Sequence, residues 1–142
     1  MKRNYAWILG LVLICAGSSV FAAPGQTATP GQHTVTVTLN YDFTADNACT
    51  ASVTTGCLKQ FNIYDLTSGT PVKLFSIAAP AGANGAVTGI TGTSALMTLH
   101  SGVHTFGATA QMADGTESDP NACTATATVK PGAPVNFTVG VQ

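Results

Sequence analysis

The stretch HTVTVTLNYDF, residues 33–43, alternates apolar and polar side chains without a break. Its apolar side chains all fall on one face: Val35, Val37, Leu39, Tyr41 and Phe43. Successive side chains of a strand point to opposite faces of the sheet, so a period of two predicts a β-strand with one face in a core. No segment after residue 22 carries a helical period of useful length.

Further short segments with strand patterns follow along the chain. They are residues 61–66, 71–77, 95–99, 104–112, 123–129 and 135–141. We expect Phe61 and Ile63 to point inward, and the same of Phe106, Ala108, Ala110 and Met112. The glycine- and alanine-rich residues 78–94 read as a long surface loop with one short strand near 87–90. About seven strands separated by turn residues predict an all-β, two-sheet antiparallel β-sandwich.

The first 22 residues differ from the rest. Lys2 and Arg3 precede an apolar run, and Val20-Phe21-Ala22 provides small residues at the positions that a signal peptidase reads. We therefore expect a signal-peptide helix over 1–22, cut after Ala22. The apolar run is shorter than the roughly 20 residues that span a bilayer, which argues against a retained membrane anchor. Lipid attachment at Cys15 is a further alternative, although Ile14 stands where such sites have a small residue.

Residues 23–32 contain two Pro-Gly steps and no apolar pattern, so we expect a flexible leader there, followed by one domain over 33–142. The exported chain would keep three lysines, no arginine and six acidic residues. A nucleic-acid-binding protein needs clustered cations to displace counterions from phosphates, and this composition excludes that class. The signal peptide predicts a secreted, periplasmic or cell-surface protein without a membrane span after cleavage.

Several of these segments resemble fibronectin type III and related bacterial Ig-like domains. SGVHTFGATAQMADGTES, residues 101–118, is similar to the family's F strand and F–G turn, FNIY at 61–64 to its C strand, and LNY at 39–41 to its B strand. The chain departs from the family at two positions. Tyr41 stands where the core tryptophan is usual, and His104 stands where a tyrosine hydrogen-bonds back to close a corner.

The pentapeptide NACTA occurs at 47–51 and again at 121–125, and Cys57 lies between the two copies. Once Cys15 is removed, Cys49, Cys57 and Cys123 remain, so one pair and one leftover cysteine are expected in an oxidising compartment. The resemblance places the B–C and F–G loops at one end of the sandwich, which favours Cys49–Cys123. Cys49–Cys57 and Cys57–Cys123 stay open.

No residue pattern predicts a catalytic, cofactor or metal site. His100 and His104 have a zinc-like spacing only on a helix, and we expect a strand junction there. Asp114, Glu117 and Asp119 lack the alternating spacing of a calcium loop, so we expect a solvated turn. The acidic pairs Asp42 with Asp46 and Glu117 with Asp119 could be read as glycosidase carboxylates, but no aromatic cleft accompanies them. Tyr64 is the best single contact candidate.

We therefore expect a non-enzymatic exported module, without a cofactor, that has a structural role or binds protein or glycan. The loops 44–58, 78–94 and 113–122 would carry binding. The alternative is a surface-fibre subunit that self-associates by strand addition through its C-terminal strand, residues 135–141.

Overall fold

The computed structural model describes residues 30–131 throughout and, before them, the backbone of three strands. In chain order the strands are β1 (Trp7–Ala16), β2 (Ser19–Ala22), β3 (Gln26–Ala28), β4 (Gly31–Asp42), β5 (Leu58–Asp65), β6 (Val72–Ala78), β7 (Ala86–Thr93), β8 (Met97–Leu99), β9 (Gly102–Met112) and β10 (Thr124–Val129). The predicted strand at 135–141 lies outside the described residues. The described part of the chain is all-β.

The seven strands from β4 to β10 form two antiparallel sheets. In the first sheet, β4 pairs with β7 and β8. In the second sheet the order is β10-β9-β5-β6. The strands before residue 30 extend both sheets: β1 runs parallel to β4 and antiparallel to β2, while β3 runs parallel to β10.

β4 has the face pattern that its sequence predicts. Val35, Val37 and Leu39 are at most 2 % exposed, and the threonines between them are only partly covered. The register shifts between Leu39 and Tyr41, where a bulge interrupts the pairing with β7. Such a bulge bends the strand and increases its twist. Phe43, just after the strand, remains fully buried.

The core lies between the two sheets and contains side chains from both. The second sheet contributes Phe61 and Ile63 from β5, Phe106 and Ala108 from β9, and alternate residues of β10. Tyr41 packs edge-on against Phe43 and Phe61, with ring centroids 4.9 and 5.1 Å apart. The inward positions predicted for β5 and β9 are therefore confirmed, with Ala110 and Met112 partly buried against the core, and Tyr41 packs against the same core.

Two elements differ from the sequence-based expectations. The region predicted as a long loop contains the eight-residue strand β7, because this glycine-rich segment pairs with β4 and Ile90 enters the core. The apolar run expected as a signal-peptide helix is β1 instead, since its backbone groups pair with the edge of β4. Among the described residues, none lies in a helix that could cross a membrane.

A histidine closes the corner between β8 and β9. The ring of His104 donates a hydrogen bond from Nε2 to the carbonyl oxygen of His100, at 2.9 Å. The ring also stacks on Phe106, with centroids 6.4 Å apart. The imidazole of His104 therefore ties β9 to the residue that follows β8.

Replacing His104 should weaken the corner. We expect His104→Ala to lower the free energy of unfolding by about 1 kcal/mol, because one hydrogen bond and one stacked ring are lost. His100→Ala is the matched control, since His100 is exposed and contributes only its carbonyl oxygen. Urea titration followed by circular dichroism measures both. Equal stability of His104→Ala and the wild type would refute the role of the ring.

Tyr41 predicts an alkaline transition. Burial, and next the charge of Asp46 and the hydrogen bond to it, raise the pKa of Tyr41 from 10.0 to about 12. The folded state holds this proton more tightly than the unfolded state. The resulting stabilisation is complete below pH 10 and is lost as the pH rises through about 12.

Tyrosinate absorbance should therefore show a component with a midpoint near pH 12 that Tyr41→Phe removes. The Tyr41→Phe variant should also lose less stability across this pH range than the wild type. A variant that keeps the high-pH component would contradict this assignment.

Candidate functional site

The loop between β4 and β5 is closed by a disulfide between Cys49 and Cys57, whose Cα atoms are 5.0 Å apart. Backbone hydrogen bonds bring its two ends together: the Cys49 amide donates to Leu58, and the Leu58 amide donates to Asn47. This pairing places the two cysteines side by side. The expectation of a Cys49–Cys123 bridge is therefore wrong, because the local backbone pairing brings Cys57 to Cys49.

Cys123 directly precedes β10 and lies half-buried against the core. Its carbonyl oxygen accepts a hydrogen bond from the Ala108 amide, which fixes its backbone to β9. No described cysteine is a free thiol. The leftover cysteine was expected for the chain without Cys15 and stays a prediction.

The tip of the disulfide loop is exposed and ordered by its own hydrogen bonds. All six residues from 51 to 56 are exposed, and Val53 is 51 % exposed. The hydroxyl of Thr50 accepts hydrogen bonds from the amides of Ser52 and Val53, and the Thr50 amide donates to the Val53 carbonyl. The tip thereby presents an apolar side chain on a loop with little freedom to lose on binding.

Three loops meet at this end of the molecule. The Gly82 amide donates to the Cys49 carbonyl at 3.2 Å, and the Ala113 amide donates to the Cys57 carbonyl at 2.9 Å. We call this surface the loop end: residues 44–57, 79–85 and 113–122. The sequence-based grouping of 44–58, 78–94 and 113–122 is thus correct at the contact points, but the middle loop is shorter because β7 begins at Ala86.

Residues 113–122 fold back over the outer face of the second sheet, with residues 114–119 exposed on their other side, and we call them the strap. Ser118 exchanges hydrogen bonds with Ala110, through both its amide and its hydroxyl. Pro120 crosses over Gly107, where an added Cβ would lie 2.3 Å from the Pro120 carbonyl oxygen. Only glycine at position 107 allows the strap to pass this closely.

Glu117 anchors the strap to the outer face of β5 and β9. Its Oε1 accepts hydrogen bonds from the amides of Asn62 and Gln111, and its Oε2 accepts them from the hydroxyls of Tyr64 (2.8 Å) and Thr109 (3.0 Å). We call these five side chains the Glu117 network. Asn62 is fully buried and Thr109 is 2 % exposed, so the carboxylate satisfies donors that water cannot reach.

The Glu117 network leaves little capacity for chemistry. A carboxylate has about four lone-pair positions, and four protein donors occupy them here. Gln60 extends the network through its Nε2, which reaches Gln111 Oε1 at 2.7 Å and Asn62 Oδ1 at 2.9 Å. Glu117 is therefore a poor candidate for a general base or a calcium ligand, and the arrangement holds the strap in place.

Tyr64, the predicted contact residue, is half-exposed on this outer face. Its hydroxyl is held by Glu117, and burial together with that bond raises the pKa of the phenol above 10.0. The ring is thus a fixed surface whose polar end is already engaged. It can contribute a flat apolar contact, and it lies next to the strap.

The remaining acidic candidates bond their own turns. Asp114 Oδ1 accepts from the Thr116 amide, and Asp119 Oδ1 accepts from the Asn121 amide. The amide and hydroxyl of Thr44 hold Asp42, and hydrogen bonds from this residue lower the pKa of that carboxyl. Across the described residues, no group of three histidine, cysteine or acidic side chains could hold a metal ion.

Sequence reasoning missed most of the Glu117 network. A usable signal was present, because polar residues alternate on both strands outside the core positions: Gln60, Asn62 and Tyr64 on β5, and Thr109 and Gln111 on β9. The glutamine and asparagine side chains of this set can both donate and accept hydrogen bonds at some distance from the backbone, whereas threonine dominates the outward face of β4. Identifying Glu117 as the partner required the path of the strap.

Comparison of the chain with protein-family models, with curated proteins and with solved structures gives no match.

The Glu117 network predicts a contrast between two substitutions. Glu117→Ala should lower the free energy of unfolding by about 2 kcal/mol, because it leaves the buried Asn62 and Thr109 donors without their acceptor. Glu117→Gln should cost about half as much or less, since the Tyr64 and Thr109 hydroxyls can accept from the new amide.

Urea denaturation measures both variants, with Asp114→Ala as a control that removes only a turn contact. Equal losses for Glu117→Ala and Glu117→Gln would mean that the charge matters rather than the hydrogen bonds. A neutral Glu117→Ala would refute the anchoring role.

Proposed function

We propose that this chain is an exported, non-enzymatic interaction module that binds a protein or glycan partner through its loop end. The observation that carries the proposal is the Cys49–Cys57 loop, which holds residues 51–56 exposed on a closed frame. A preorganised loop loses less conformational entropy on binding, and apolar tips such as Val53 serve as anchors.

We further propose that the fold is of the fibronectin type III or Ig-like class. The order β5-β9-β10 corresponds to the C, F and G strands of such domains, and β4 pairs with β7 and β8 as strand B pairs with strand E. The His104 corner supports the same assignment. Domains of this class carry variable loops at the ends of the sandwich, where binding sites form without changes in the core.

Export is part of the proposal. The signal-like sequence at 1–22 supports it, and so does a disulfide on an exposed loop, because such bonds persist in oxidising compartments. The destination would be the periplasm, the cell surface or the medium. The excess of acidic over basic residues favours a protein or glycan partner over a nucleic acid.

A charge placed at the loop tip should weaken binding. We expect Val53→Asp to weaken binding to a glycan array or to a panel of extracellular proteins by about tenfold or more. The matched control is Val72→Asp: Val72 is 53 % exposed but pairs with Asp65 at the opposite end of β5. This control should bind like the wild type.

Interferometry gives the dissociation constant for each glycan or protein that binds the wild type, and circular dichroism verifies the fold of both variants. Equal weakening in the two variants would assign binding to a surface outside the loop end. Unchanged binding in Val53→Asp would overturn the assignment to the disulfide loop.

A second candidate, a surface-fibre subunit, is favoured by one observation: β4 accepts a strand from outside the seven-strand unit along one full edge. In a fibre, residues 135–141 of a neighbouring copy would occupy that edge. The concentration dependence of amide hydrogen exchange in β4 would separate this candidate from a self-contained module.

A further inference from the structure

The edge of β4 that faces away from β7 and β8 pairs along its length with a parallel strand. β1 pairs there in continuous register, from Trp7 opposite His33 to Ile14 opposite Asn40. On its other edge β4 pairs with β7 and β8. The first sheet thus includes a strand from the segment that export is expected to remove, because β1 and β2 both lie within residues 1–22.

The backbone groups that face this edge can be identified. The Val35 amide donates to the Ser94 hydroxyl, and the Val35 carbonyl accepts from the Ser94 amide, so Val35 faces β7. Backbone groups of neighbouring residues in a strand point to opposite edges. The amides and carbonyls of Thr34, Thr36 and Thr38 therefore face the edge that β1 occupies.

Removing β1 would leave these groups unpaired beside the buried core face of β4. An unpaired edge of this length is a template for any strand that reaches it, so folded proteins cover or pair such edges. The occupant must alternate apolar and polar residues, because one of its faces continues the core beside Val35, Val37 and Leu39.

The topology brings the C-terminal segment to the correct end of this edge. Gly31 at the start of β4 pairs with Leu99, and Val129 at the end of β10 pairs with Gly102, three residues further along the chain. The chain thus leaves β10 close to where β4 begins. Residues 130–134 can extend about 16 Å, and packed sheets are about 10 Å apart.

The sequence after this connection has the required pattern. VNFTVGVQ, residues 135–142, alternates apolar Val135, Phe137, Val139 and Val141 with smaller or polar residues. It supplies eight residues, the same number as the β4 residues that pair with β1. A chain that starts at the Gly31 end and runs along β4 is parallel to it, as β1 is.

We propose that residues 135–142 of the same chain replace β1 on β4 once residues 1–22 are removed. In the proposed register Phe137 lies opposite Val35, Val139 opposite Val37 and Val141 opposite Leu39. The apolar side chains then extend the core, and Thr138 faces solvent beside Thr36. This inference rests on the proposed export and is independent of binding at the loop end.

Amide hydrogen exchange on the unmodified exported protein tests the proposal directly. The sample is the protein as secreted, with its amino terminus at Ala23 verified by mass. The amides of Thr34, Thr36 and Thr38 should exchange as slowly as those of Val35 and Val37, which face β7. Fast exchange at the three threonines alone would overturn the proposal, and so would a secreted protein that keeps residues 1–22.

Two variants at adjacent positions identify the occupant. Phe137→Asp puts a charge on the core side, so exchange at Thr34, Thr36 and Thr38 should rise by about tenfold or more while Val35 and Val37 stay protected. Thr138→Asp puts the same charge on the solvent side and should leave all five amides unchanged. The same response in both variants would overturn the register.

Exchange measured at two protein concentrations, with the mass determined at each by sedimentation, decides which copy supplies the strand. Protection of the three threonines in the monomer supports the same chain. Protection that appears only in assemblies would overturn it and assign the strand to a neighbouring copy, as in a fibre. The Val53→Asp binding test is unaffected by either outcome, so failure here is distinguishable from failure of the proposed module function.

Discussion

The structure depends on the burial of one face of β4. Val35, Val37 and Leu39 are almost fully removed from water, and the second sheet packs its own apolar face against them. Burying a side chain of this kind contributes about 1.5 to 3 kcal/mol, so these few positions hold the two sheets together. Because β4 is central in its sheet, its backbone also needs partners along both edges.

The outer face of the second sheet has a different organisation. A single carboxylate, Glu117, gathers four donors and holds the strap down, while Gly107 makes room for Pro120. The disulfide loop at the same end has its own covalent closure. Hydrogen bonding therefore shapes one part of the loop end, and a cross-link shapes the other, with the backbone hydrogen bond from Ala113 to Cys57 joining them.

Local pattern was sufficient to predict most of the strands. The alternation at 33–43 predicted β4 and its buried face, and the strand pattern at 123–129 predicted β10, because strand periodicity is a local property. The long-range partners were not accessible in this way. Glu117 meets Asn62 across 55 positions of sequence, and the cysteine pairing turned on the backbone path between Asn47 and Leu58. The strand β7 was underestimated because its glycines carry no side chains to show a period.

The disulfide between Cys49 and Cys57 also affects how freely the sequence of residues 51–56 can vary in evolution. None of these six side chains belongs to the hydrophobic core, and the covalent bond fixes the ends of the loop whatever lies between them. Apart from Gly56, whose φ of 62° favours glycine, substitutions within the loop therefore carry little folding cost, while they change the exposed surface. The surface at this position can therefore change quickly in evolution, as long as both cysteines are kept.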